Sequence, residues 1–147
     1  MRFSGLGQTD PTGRPLLYQG LYSNMARILV VEDEPTIAAV VAEWLGEVGH
    51  RVIGPAADVE IALRELANKG ADMALLDVNL GGVPVGLQLA EMLKAQRIPV
   101  AFITGYAASL FPVGLREHPR LEKPFGRSEL LSVVAELLRD APFRQNL

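Results

Sequence analysis

The chain has 147 residues, 49% of them hydrophobic, with a formal net charge of −3 and no cysteine. That length suits one ordinary domain, and the apolar share is enough for a packed core rather than global disorder. The missing cysteines exclude disulfides, thiolate catalysis and cysteine-bound zinc, the acidic balance argues against direct nucleic-acid binding, and no apolar run approaches the roughly 20 residues that span a bilayer. With no signal-peptide-like apolar core at the N-terminus, the expected setting is cytoplasmic, away from any membrane.

Residues 1–24 carry Gly5, Gly7, Gly13 and Gly20 with Pro11 and Pro15, and show no sustained periodicity. They read as a flexible extension or leader, although Leu16, Leu17, Tyr18, Leu21 and Tyr22 leave packing onto the domain or a partner open. From Met25 the pattern becomes regular, and the expected domain covers 25–141, with a tail at 142–147. Ile28-Leu29-Val30-Val31 is a short continuous apolar run, the pattern of a strand buried on both faces of a parallel sheet. Pro35 then suits the first turn of a helix, along which Ile37, Val40, Val41, Trp44, Leu45 and Val48 recur at helical spacing until Gly49. Arg51–Gly54 reads as a second strand, and Asp58 as the N-cap of a helix closed by Gly70. Met73–Leu76 forms a third strand running into Asp77. After the loop 81–86 comes a helix with Leu87, Leu89, Ala90, Met92 and Leu93. Pro99–Ile103 is a fourth strand, and 105–118 is weakly patterned. A fifth strand near Arg120–Glu122 is placed by chain order rather than by hydrophobicity. A last helix carries Leu130, Leu131, Val134, Leu137 and Leu138. Strand and helix alternate about five times with short connections, which predicts an α/β fold: a doubly wound, five-stranded parallel sheet with helices on both faces.

Ligands of such sheets sit at the carboxyl ends of the strands, near a switch in strand order. Those ends carry Glu32-Asp33-Glu34, Asp77, Thr104 and Lys123-Pro124. Clustered carboxylates repel one another and call for a cation, and hard oxygen ligands suit Mg²⁺. A carboxylate can accept a phosphoryl group, a lysine can neutralise the phosphoryl oxygens, and a threonine hydroxyl can hydrogen-bond to them. Taken singly, each residue has an ordinary structural role. Asp33 suits a helix N-cap, Asp77 and Thr104-Gly105 suit turns, and Lys123-Pro124 suits a solvated loop. Four such features at successive strand ends favour a shared site.

Ile28-Leu29-Val30-Val31-Glu32-Asp33-Glu34-Pro35, Leu75-Leu76-Asp77-Val78-Asn79-Leu80, Phe102-Ile103-Thr104-Gly105-Tyr106 and Glu122-Lys123-Pro124-Phe125 together resemble a response-regulator receiver domain of two-component signalling, from about Arg27 to Arg139. The resemblance implies a flavodoxin-like receiver fold, with Asp77 as phosphoacceptor. Glu32 and Asp33 would organise Mg²⁺, Asn79 would add its carbonyl to the metal, Thr104 would bind the phosphoryl group, and Lys123, before a cis proline, would pair with it. The implied partners are a histidine kinase or histidine phosphotransfer protein and a downstream protein target, with a homodimer open. The domain would stand alone and switch protein–protein contacts rather than turn over a substrate.

Two departures stand out. Many receivers carry an aromatic residue three positions before the lysine, where this chain has Arg120. Tyr106 instead follows Thr104 by two, as in the "FAT GUY" receiver subgroup, and is the expected switch residue. Two other functions suit these residues less well. A small phosphatase with an aspartate nucleophile would want a second aspartate where Asn79 stands. A flavodoxin-like ligand binder would want a phosphate loop where Glu32-Asp33-Glu34 would repel phosphate.

Overall fold

The computed structural model describes residues 25–105 and 113–139. In chain order these form β1 (Arg27–Val31), α1 (Pro35–Glu47), β2 (Arg51–Ala56), α2 (Val59–Lys69), β3 (Met73–Asp77), α3 (Gly86–Ala95), β4 (Val100–Thr104), a 3₁₀ turn (Val113–Leu115), β5 (Arg120–Glu122) and α4 (Arg127–Arg139). The strands lie in the order β2-β1-β3-β4-β5 and every pairing is parallel. This is the expected doubly wound architecture. Chain order reverses between β1 and β3, so the ligand crevice belongs above their carboxyl ends.

The alternation of side chains along β1 sorts the interior into two cores. Leu29 and Val31 face one side and pack with Ile53, Leu76, Leu89, Leu93 and Phe102. Ile28 and Val30 face the other and pack with Val41, Leu45, Leu75, Ile103, Leu130, Val134 and Leu138. β3 and β4 are buried at every position, because helices cover both faces of the sheet centre. That is why their sequences read as unbroken apolar runs. β5 has three residues and only Leu121 is buried, so the sequence carries almost no strand signal there.

Local chemistry explains the element boundaries. The Asp58 side chain accepts the Ile61 N–H at 2.8 Å and caps α2, and Gly70, at φ 71°, ends that helix. β2 runs two residues beyond the expected Gly54. Register slips between Leu29 and Val31, so the chain bulges at Gly54 and Val31 pairs with Ala56. Gly54 sits at φ +93°, and a Cβ there would lie 2.7 Å from the Ala56 nitrogen, so only glycine fits. Trp44, one of the apolar positions along α1, is half-buried and packs against the second core. It meets Phe125 edge-on at 6.5 Å on the rim between α1 and α4. The extension 1–24, Tyr106 and the tail 142–147 lie outside the described residues.

Candidate functional site

Among the described residues, three polar ones are nearly inaccessible: Glu32 at 2%, Asp77 at 4% and Thr104 at 1% exposure. All three stand at the carboxyl ends of central strands or just beyond. The β2 bulge brings the Ala56 carbonyl within 2.9 Å of the Glu32 N–H and pins the residue at the mouth of the crevice. Asp77 ends β3, and its Oδ1 accepts the Asn79 N–H at 3.0 Å, which fixes the carboxylate's orientation. Asp33, half-buried, accepts the Gly81 N–H at 2.8 Å through Oδ2. That amide belongs to the turn Leu80–Val83, where Gly81 and Gly82 both have positive φ. Thr104 ends β4, one residue past Ile103, the strand partner of Asp77.

Lys123 closes the site from just beyond β5. Its backbone N–H donates to the Thr104 carbonyl at 2.9 Å, and the Lys123–Pro124 peptide is cis, as the resemblance implied. The ammonium donates to Asp77 Oδ2 at 3.0 Å, Glu32 Oε1 at 3.1 Å and Glu34 Oε1 at 2.8 Å. A lysine has three N–H bonds to give, and here three carboxylates take them. Burial lowers the Lys123 pKa, but hydrogen bonds to Glu34, Asp77 and Glu32 outweigh it and hold the ammonium above the ordinary lysine value. Burial raises the Glu32 carboxyl to about 7, the neighbouring Asp77 carboxylate adds to the rise, and Lys123 opposes it.

Carboxylate oxygens of Glu32, Asp33 and Asp77 all lie within 4.8 Å of one another. Among the described residues, Glu32 Oε2 is buried without a hydrogen-bond partner. An all-oxygen cluster with a buried, unsatisfied carboxylate oxygen fits a hard divalent cation.

Two residues of the site carry little signal in the sequence. Glu34 looks like an ordinary helix-start acid, and its link to Lys123 spans 89 positions. Gly86 opens α3 against the end of β3, where a Cβ would collide with the carbonyl oxygens of Asp77 and Val78. Its signal was only the last glycine of a Gly/Pro loop. Arg120, the position expected to be aromatic, is half-buried on β5 opposite Phe102.

The family model for the response regulator receiver domain matches residues 28–135. The chain belongs to that family. Among receiver-containing relatives it is 33% identical over 134 residues to the phyllosphere-induced regulator PhyR of Methylorubrum extorquens, covering 88% of this chain and 48% of that protein. It is 35% identical over 123 residues to the transcriptional regulatory protein TcrA of Mycobacterium tuberculosis, covering 79% and 47%. The chain thus spans about half the length of these relatives. The solution structure of SdrG from Sphingomonas melonis Fr1 superposes with a TM-score of 0.68 at 36% identity, covering 78% of this chain and 98% of that one. The flavodoxin-like receiver fold is thereby shared. Among the described residues no helix is long and apolar enough to cross a membrane.

Proposed function

We propose that Asp77 accepts a phosphoryl group from the phosphohistidine of a histidine kinase or histidine phosphotransfer protein, and that the modified receiver changes its contacts with a downstream protein. The supporting observation is the Lys123 ammonium on Asp77 Oδ2, beside an acidic trio with an unsatisfied Glu32 oxygen. In this reading Asp77 attacks phosphorus in line. An O–P bond forms, the N–P bond of the donor breaks, and the imidazole leaves with the electron pair and takes up a proton. The Asn79 amide holds the carboxylate for attack. Lys123 and the Thr104 hydroxyl serve the peripheral phosphoryl oxygens, where charge must be neutralised. Glu32, Asp33 and Asp77 would hold Mg²⁺, with the Asn79 carbonyl a further ligand; the bound ion would supply positive charge to the phosphoryl oxygens. An apolar groove of about 420 Å³ opens beside the site, lined by Ile37, Val40, Trp44 and Phe125 with Glu34 and Lys123 among its walls, and is suited to the donor. Tyr106 is the residue expected to report the switch. The setting would be cytoplasmic, and the domain's chemistry would be confined to its own phosphorylation and dephosphorylation.

The test is incubation with Mg²⁺ and a small phosphodonor or a cognate kinase, followed by intact-mass measurement. One phosphoryl group should add to the wild type and none to Asp77→Asn. No gain on the wild type, or an equal gain on both, rejects the assignment.

A further inference from the structure

Of the three carboxylates on Lys123, Glu34 makes the shortest bond, at 2.8 Å, and stands apart in its surroundings. Its side chain is 56% exposed, against 0% for Glu32 and 6% for Asp77. The metal trio does not include it. It occupies the N-cap position of α1 in extended backbone, yet its side chain makes no capping bond. Neither metal binding nor helix capping therefore accounts for its place on Lys123.

The three ammonium protons go to Glu32, Glu34 and Asp77, so a phosphoryl oxygen arriving on Asp77 competes with the remaining carboxylates for Lys123. Glu32 is fully enclosed, and leaving it without its cation would strand a buried charge at high cost. Glu34 faces water, which can solvate the released carboxylate cheaply. We infer that Glu34 is a positioning residue that holds Lys123 in the unmodified receiver and competes with the phosphoryl group for it, setting how readily the modified state forms and persists. This rests on the phosphoacceptor assignment of Asp77. Until it is displaced, Glu34 also places a negative charge beside the incoming anion. It therefore disfavours the phosphoryl group on two counts while favouring, if anything, a cation.

That opposition makes the inference testable with beryllofluoride, a phosphoryl mimic that binds carboxylates together with Mg²⁺. Glu34→Gln keeps the length of the side chain and disturbs no cap. At saturating Mg²⁺ its beryllofluoride affinity should rise roughly two- to fivefold, the scale of a half-exposed ion pair. Its affinity for Mg²⁺ alone should hold or fall, since a lost carboxylate cannot attract a cation. Glu34→Asp keeps the charge and should stay near wild type. Titration calorimetry, or fluorescence of the single tryptophan, Trp44, reads both affinities. Unchanged or weaker beryllofluoride binding in Glu34→Gln overturns the inference, as does equal tightening by Glu34→Asp. A merely structural role would weaken both ligands together. If the wild type fails to bind beryllofluoride, or Asp77→Asn binds it as well, the phosphoacceptor assignment itself falls and the inference with it.

Discussion

The two ends of the sheet are built from the same chemical groups to opposite effect. At the amino end Arg27 meets Asp72 through both guanidinium and backbone, at 2.7 to 3.3 Å, and gives a further N–H to the Lys69 carbonyl. His50 accepts the Ala26 N–H at 3.1 Å. Here one cation faces one carboxylate. At the carboxyl end, among the described residues, a single ammonium serves three carboxylates, a fourth is tied to a loop amide, and one buried oxygen has no partner. Negative charge in excess at the carboxyl end is what the proposed cation and phosphoryl group would meet there.

The sharpest break in this contrast is Lys123→Ala, which strands buried carboxylates. We expect a loss of about 3 kcal/mol in urea unfolding without metal, partly restored by Mg²⁺, as well as an impaired response to phosphorylation. A loss below about 1 kcal/mol would mean that the carboxylates are compensated some other way. Gly86→Ala comes next, at about 2 kcal/mol, because two backbone oxygens, one of them of Asp77, stand where the methyl must go. The same measurement at Gly46, where a Cβ meets nothing within 4 Å, should show no steric cost. Asp77→Asn should act in the opposite sense. Relief of like-charge repulsion stabilises the metal-free protein by about 1 kcal/mol, and the rise in Tm that Mg²⁺ gives the wild type shrinks or disappears.

The two ends also predict pH slopes of opposite sign. Glu32 is raised to about 7 from an ordinary value of 4.5, so its contribution is fully present below 4.5 and is lost as pH rises through 7. Burial lowers the pKa of His50 below 6.5, so its contribution is present above 6.5 and is lost as pH falls through the folded value. Denaturation at stepped pH should show Glu32→Gln flattening the first slope and His50→Gln the second. If the Glu32→Gln profile matches wild type between pH 5 and 7, that carboxyl is not the titrating group. The smallest effect belongs to Arg27→Ala, a half-exposed pair expected to contribute less than about 1 kcal/mol. A larger loss would show that the amino end depends on its ion pair more than surface pairs usually do.

Residue order alone determined the alternation of strands and helices, the parallel sheet and most of the candidate site. Continuous apolar runs identify β1, β3 and β4 because helices cover both faces of those strands, and Asp77, Asp33 and Lys123 stand out because charge at the end of such a run has few structural uses. The edge strand β5 and the extension of β2 were obscure, since one has a single buried residue and the other depends on a bulge at Gly54. Only the tertiary structure decided that Glu34 binds Lys123, that Gly86 must lack a side chain, and that Glu32 keeps an unsatisfied oxygen. Each of these is a relation between atoms that the fold brings together, and none leaves a periodicity or a spacing in the chain. Hydrophobic burial repeats along an element and can be read locally, whereas the balance of charge in a crevice depends on how many distant residues reach the same few ångströms.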